Sequence, residues 1–218
     1  MWLIKLEFRR YLHSKTLYGL LLIALLYTVS FFSDPDKVLT PEVIMSNYTF
    51  FMAISGGILV AFHATEIPGE PLVMSKPVKR FLVILQHFGS VLLLSVLFAV
   101  IATPLVWYYY PDAHAIMISV LTLILFLSGV AAFSLPLAIF LGRELRVFWS
   151  VAVVFAFFGA MVGVSSPGLA EKLLLPVLSL TGAFLNGTLS YEDVLTVIAS
   201  IWIYVAISIV VFNRKDLR

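Results

Sequence analysis

Residues 65–80 read TEIPGEPLVMSKPVKR and form the longest polar interruption in an otherwise apolar chain. Long apolar runs flank the stretch on both sides, so it is predicted to connect two membrane-spanning segments at a membrane surface. Its cations outnumber its acids, which favours the cytoplasmic side. Gly69 and Pro71 interrupt any continuous helix. The charged residues of this loop are Glu66, Glu70, Lys76, Lys79 and Arg80.

The composition excludes a soluble domain. Hydrophobic residues make up 61% of the 218 residues, charged residues 12%, and the mean hydropathy is +1.06. One globular core of this length cannot hide so much apolar surface. We therefore expect an all-α, multi-pass protein of the cell membrane whose surroundings are the lipid bilayer and not a nucleic acid. Cysteine is absent, which excludes disulfides and thiolate metal sites.

The chain begins with a basic, amphipathic segment. If residues 1–16 form an α-helix, one face is apolar and the opposite face carries cations. Such a helix is predicted to lie in the membrane interface, with its cations near anionic lipid headgroups. The alternative is that these cations simply flank the first span. The residues assigned to the interfacial helix are Lys5, Phe8, Arg9 and Arg10, with Ile4, Tyr11 and Leu12 also on the apolar face.

Six membrane-spanning helices are predicted within a single transmembrane domain, residues 1–218. Their ranges are 17–32, 43–64, 81–109, 115–141, 147–164 and 194–212. Thr40 and the pair Ser190 and Asp193 are predicted to cap helices. Residues 142–146 are predicted to be a tight basic hairpin.

The apolar run 173–185 is too short to cross a bilayer and contains Pro176 and Gly182. Residues 165–193 are therefore predicted to form a re-entrant or interfacial segment on the outer side, before the last span. With six spans, twelve of the 14 Lys and Arg residues lie on one side, and only Lys37 and Lys172 lie on the other. The positive-inside tendency therefore predicts that both termini are cytoplasmic.

The sequence carries no motif for catalysis, for a metal or for nucleotide phosphates. It has no glycine-rich loop ending in Gly-Lys-Ser or Gly-Lys-Thr and no His-Glu-x-x-His. The six predicted spans contain no Asp, Glu, Lys or Arg, which argues against transport driven by a buried ionisable group. His63 and His87, near the cytoplasmic ends of two spans, are predicted to be ordinary interfacial histidines.

The 65–80 loop resembles the corresponding loop of the ABC-2 type transporter permeases. The residues that carry the resemblance are Glu66, Gly69, Leu72, Ser75, Lys76, Pro77 and Arg80. Pro71 departs from the family pattern, which more often has a helix-forming residue there. The resemblance extends to the N-terminal elbow helix, the six spans and the segment before the last span.

The resemblance implies a permease subunit of an ABC exporter, working as a dimer with an identical or related permease chain. It also implies that a separate ATPase subunit docks on an ATPase-coupling loop made of Glu66, Gly69, Glu70, Ser75, Lys76, Pro77 and Arg80. ATP and Mg would then be bound by that partner, and this chain would need no cofactor. The rival interpretation is a non-transporting multi-pass protein, either an assembly factor or a membrane-bound enzyme.

The predicted topology can be tested by single cysteines, since the natural chain has none. Cysteines at Ser33 and Ser190 should react with a membrane-impermeant thiol reagent in intact cells. Cysteines at Ser14 and Ser75 should react only after the membrane is opened. Labelling of either cytoplasmic position in intact cells would contradict the topology.

Overall fold

A computed structural model of the chain describes residues 2–34, 38–66, 79–141, 143–164 and 167–214. The structure is 87% helical, and no strand occurs in these ranges. The helices are α1 (Trp2–Leu12), α2 (Lys15–Phe32), α3 (Pro41–Ala64), α4 (Arg80–Ile101), α5 (Thr103–Tyr109), α6 (Ala113–Ser134), α7 (Arg143–Gly163), α8 (Leu169–Leu174), α9 (Thr181–Asn186) and α10 (Tyr191–Arg214).

Five of the described segments are long and apolar enough to cross a membrane. They are Pro41–Ala64, Phe81–Tyr109, Ala113–Ala138, Glu144–Gly163 and Tyr191–Arg214. A sixth is obtained when α1 and α2, which meet at an angle of 61°, are counted together. The prediction of an all-helical, multi-pass membrane protein is thus confirmed.

Helix α1 lies across α4. Tyr11, on the apolar face of α1, is 1% exposed, and the side chain of Ile4 lies close to Gly89 of α4. Lys5 and Arg9 are exposed, as the amphipathic pattern predicts. The sequence pattern predicts that this apolar face rests in the lipid interface, but much of it is covered by protein.

Several spans contain breaks that the sequence analysis did not predict. In α3, residues Ile44–Thr49 are a π-helical stretch. The predicted span 81–109 is divided at Ala102 into α4 and α5, and Pro104 follows in the first turn of α5. The α-helical part of the predicted span 115–141 ends at Ser134 and continues as a 3₁₀ helix, Leu135–Ile139, which contains Pro136. Proline has no amide hydrogen and disfavours the α conformation in the residue before it, so helices break near it.

The prediction of a hairpin at residues 142–146 was wrong. Helix α7 already begins at Arg143, with Glu144 in its first turn, where an acid interacts favourably with the positive end of the helix dipole. The Nε atom of Arg146 donates a hydrogen bond of 3.1 Å to the carbonyl oxygen of Leu141. The Arg146 side chain therefore provides a hydrogen-bond partner for the Leu141 carbonyl at the end of the preceding span. Because α7 begins at Arg143, the connection between the two spans is shorter than predicted.

The segment between α7 and α10 folds into the helical bundle. Helix α8 is followed by a buried 3₁₀ helix, Pro176–Leu180, and then by α9. The hydroxyl of Ser200 donates to the carbonyl oxygen of Leu173 at 2.6 Å, and that of Tyr204 donates to Leu174 at 2.5 Å. Both hydroxyls come from the middle of α10, so the turn after α8 lies about halfway along that helix.

The chain then returns from this depth toward the beginning of α3. Gly187, which has a positive φ of 67°, ends α9 and lies against Pro41 and Met45. Only glycine adopts this left-handed conformation without strain from a Cβ atom. The apolar part of the segment, Pro176–Asn186, is too short to cross a bilayer.

Three glycines allow close packing of the central helices. A Cβ atom on Gly56 would lie 2.7 Å from Phe98, and one on Gly57 would lie 2.8 Å from Val154. A Cβ atom on Gly129 would lie 3.3 Å from Pro176. Small residues let membrane helices approach closely in this way. For Gly159 and Gly163, in contrast, no described atom lies within 4 Å of such a Cβ position.

Gly56→Ala should destabilise the protein, whereas the matched change Gly159→Ala should not. The added methyl group at position 56 meets the fully buried side chains of Phe98 and Leu127, and such overpacking costs about 1–3 kcal/mol. At position 159 the methyl group has open space, and alanine favours helix. Thermal unfolding of the purified variants in detergent measures the difference, and equal melting temperatures would refute the packing argument.

Candidate functional site

The structure describes only the two ends of the predicted coupling loop. Thr65 is buried at the end of α3, and its hydroxyl donates to the carbonyl oxygens of Ala61 and Phe62. Glu66 follows it, and the loop ends where Arg80 begins α4. The predicted site residues Gly69, Glu70, Ser75, Lys76 and Pro77 lie outside the described residues.

Glu66 is held by the C-terminal part of α1. The guanidinium of Arg10 lies 3.5 Å from one carboxylate oxygen of Glu66. Of the other predicted residues of α1, Phe8 is half-buried, and Lys5 and Arg9 are exposed. Arg10 is itself largely exposed, so this ion pair alone contributes at most about 1 kcal/mol.

His63 supplies the second contact to Glu66. It lies three residues earlier, one helical turn back along α3, and its Nδ1 atom is 3.2 Å from the other carboxylate oxygen. A carboxylate only accepts, so Nδ1 carries the donated proton. The ring is 3% exposed and its centroid is 4.3 Å from that of Tyr11. Its Nε2 atom is buried without a hydrogen-bond partner among the described residues.

His87 of α4 connects α1 with the end of α3. Its Nε2 atom lies 3.3 Å from the carbonyl oxygen of Ala64, and its Nδ1 atom lies 3.4 Å from the hydroxyl of Tyr11. Because a carbonyl only accepts, Nε2 must donate, and in the neutral ring Nδ1 then accepts from Tyr11. The geometry therefore selects one tautomer of His87.

These five side chains, Arg10, Tyr11, His63, Glu66 and His87, form what we call the loop-root cluster. They come from α1, from the end of α3 and the loop that follows it, and from α4. Both histidines are buried in the protein, and the prediction of satisfied histidines fails for His63, whose Nε2 atom has no hydrogen-bond partner among the described residues. His87 has partners for both ring nitrogens, as expected of an ordinary structural histidine.

The charges in the loop-root cluster favour ionised Glu66. Burial alone would raise the pKa of its carboxyl group. The hydrogen bond from His63 and the positive charge of Arg10 act in the opposite direction and hold the pKa below its ordinary value. Glu66 is thus a fixed negative charge where the loop leaves the membrane domain.

The cluster is suited to positioning the loop, and nothing in its geometry indicates a reaction. In the described ranges no three His, Asp or Glu side chains converge in a way that would hold a metal ion. The contacts instead join Glu66, at the start of the loop, and His87, within α4, to α1. Sequence reasoning missed Tyr11, His63 and His87. The available signal was the spacing of His63 and Glu66, which places them one helical turn apart.

Comparisons with protein-family models, with curated proteins and with solved structures found no match.

The role of Glu66 predicts a pH-dependent contribution to stability. A lowered pKa in the folded state means that ionised Glu66 stabilises the fold above its ordinary pKa of 4.5, and that this contribution is lost as the pH falls through the lowered value. Glu66→Gln should therefore lower the free energy of unfolding at neutral pH by about 1 kcal/mol. Its melting temperature should lie below that of the natural protein, and the difference should shrink in acid.

The control for this experiment is Glu192→Gln, which changes an exposed acid on α10. Melting temperatures measured in detergent from neutral pH to below pH 4.5 give the difference directly. A difference between natural protein and Glu66→Gln that stays constant over this range would contradict the ionised cluster.

Proposed function

We propose that the chain is the membrane-spanning subunit of an ATP-driven exporter, and that a separate ATPase of the ATP-binding-cassette type docks on residues 65–80. The observation that carries this proposal is the loop-root cluster. It attaches the first residues of a charged loop to α1 and α4, so a force applied to the loop reaches both helices. The motif-like residues of the loop support the same function.

In this proposal ATP binding to the partner moves the loop, and the loop moves α1 and α4 together. Arg10 and Tyr11 transmit the displacement to α1, since they contact Glu66 and His87. Packed helices respond to such a push by small shifts between discrete arrangements. ATP and Mg belong to the ATPase, because this sequence contains no phosphate-binding loop.

The proposed topology has six spans, with both termini and the 65–80 loop in the cytoplasm. Helices α1 and α2 would then be the elbow and the first span. Residues 165–193 would be a re-entrant segment that enters from the outer side and returns to it. The hydrogen bonds from Ser200 and Tyr204 support this reading, because non-helical backbone at membrane depth needs protein partners.

The proposed transporter contains a second permease subunit, either identical or related. The described surface offers several faces for it, including α7, where Phe148 and Phe155 are exposed. The alternative function is a non-transporting membrane protein, such as an assembly factor. In that case the loop-root cluster would stabilise the fold without binding an ATPase.

The test is recovery of an ATPase with the affinity-tagged chain from native membranes. An ATP-binding-cassette protein should copurify with the natural chain. Glu70→Lys should weaken this association by roughly tenfold, because it reverses a charge at the proposed contact. Glu70 is not part of the loop-root cluster, so the change tests docking separately from the stability of the cluster.

The matched controls are Glu171→Lys and Glu192→Lys, which reverse exposed acids on the opposite side in the proposed topology. They should leave the association intact. The double variant Glu66→Lys with Glu70→Lys should lose both association and stability. Unchanged ATPase recovery with the double variant, or no ATPase with the natural chain, would refute the proposed function.

A further inference from the structure

A groove of about 320 Å³ opens on the side of the helical bundle between α4, α6 and α10. Leu85, Gly89 and Leu92 form one wall, Ser128 lies on α6, and Trp202 lies on α10. In the described part of the chain its lining is apolar except for the hydroxyl of Ser128 and the indole nitrogen of Trp202. Its volume is within the range of known ligand pockets.

The groove runs along α4 from its second turn to its fourth and reaches the middle of α10. The apolar segment Phe81–Tyr109 has 29 residues and is about 43 Å long, which exceeds the roughly 30 Å of hydrocarbon in a bilayer. Its ends therefore extend into the headgroup regions. Leu85 and Gly89 lie in the second and third turns of α4, near one of these ends.

Helix α1 packs against α4 near one end of this groove. Ile4 is close to Gly89, with 3.5 Å between its Cδ1 atom and a Cβ position on that glycine. The next residue, Lys5, is exposed, and Arg9 is exposed one turn further along the same side of the helix. Arg10, in contrast, points toward Glu66 and is engaged in the loop-root cluster. Lys5 and Arg9 are thus two exposed cations of the helix that packs against α4 at Gly89, which lines the groove.

From this juxtaposition we infer that the groove binds a membrane phospholipid with an anionic headgroup. One acyl chain lies between α4, α6 and α10, and the phosphate lies against Lys5 and Arg9. The site matches the lipid in polarity and in charge. Its apolar lining would contact the acyl chain, and the two cations would contact the anionic headgroup. Each cation near a membrane surface enriches anionic lipid by roughly fivefold. This inference does not depend on the proposed ATPase.

Trp202 provides a direct probe, because it lines the groove and is 60% exposed. A variant with Trp202 as its only tryptophan is made by Trp2→Phe, Trp107→Phe and Trp149→Phe. The purified protein is placed in bilayers of unlabelled phosphatidylcholine that contain a minor fraction of brominated lipid, which quenches nearby tryptophan. Brominated phosphatidylglycerol and brominated phosphatidylcholine are compared at equal fractions.

The inference predicts severalfold stronger quenching of Trp202 by the brominated anionic lipid. Lys5→Gln with Arg9→Gln should reduce quenching to the phosphatidylcholine level, whereas the matched pair Lys15→Gln with Arg214→Gln, exposed cations of other helices, should not. Ser128→Phe, which fills the groove, should also remove the excess if melting shows that this variant folds.

Three outcomes would overturn the inference. Equal quenching by the two lipids would mean that the groove does not select an anionic headgroup. An equal loss of quenching in both double variants would mean that Lys5 and Arg9 have no special role. Protection of Trp202 from both lipids would mean that protein, such as a second copy of the chain, covers the groove.

Discussion

The structure depends on one constraint, which is that backbone groups at membrane depth must find hydrogen-bond partners inside the protein. In an unbroken helix the backbone groups are hydrogen-bonded to one another. At two of the breaks, side-chain hydroxyls provide the partners. Ser200 and Tyr204 donate to the carbonyl oxygens at the turn after α8. In the π-helical stretch of α3, the hydroxyl of Thr49 reaches the carbonyl oxygen of Ile44 and lies 2.7 Å from the hydroxyl of Ser119. These two departures from regular helix are therefore paired with hydroxyls from the same or a neighbouring helix.

Close packing between the helices also stabilises the bundle. Lipid is as apolar as the helix surfaces, so helices associate through close contact more than through the hydrophobic effect. The glycines of α3 let Phe98 and Val154 approach its backbone. A cluster of aromatic rings then attaches the inserted segment to the bundle. Phe184 of α9 meets the rings of Phe126 and Phe158 edge to face, with centroids 5.6 and 5.8 Å away. This geometry is favourable for aromatic pairs.

The sequence predicted the helical class and most helix ends, because these follow from local patterns. Thr40 caps α3 and Ser190 caps α10, as expected from their side chains, while the Asp193 carboxylate accepts from the Ser190 hydroxyl. The breaks and the loop-root cluster follow from tertiary contacts. Tyr11 and His87 are 76 residues apart, and the sequence around either residue does not indicate that the two side chains are in contact. Likewise, α1 has the pattern of an interfacial helix, but the pattern does not distinguish lipid from the surface of α4. The loop residues 67–78 stay a prediction.

The link between Tyr11 and His87 also orders events during synthesis. Helix α1 leaves the ribosome first, but His87 follows 76 residues later, which takes roughly 4–15 seconds at ordinary rates of translation. During this interval α1 has no docking surface. Its apolar face and its cations suit a temporary position on the membrane surface. The same amphipathic pattern thus serves two successive environments, lipid while the chain is growing and α4 once that helix has been inserted.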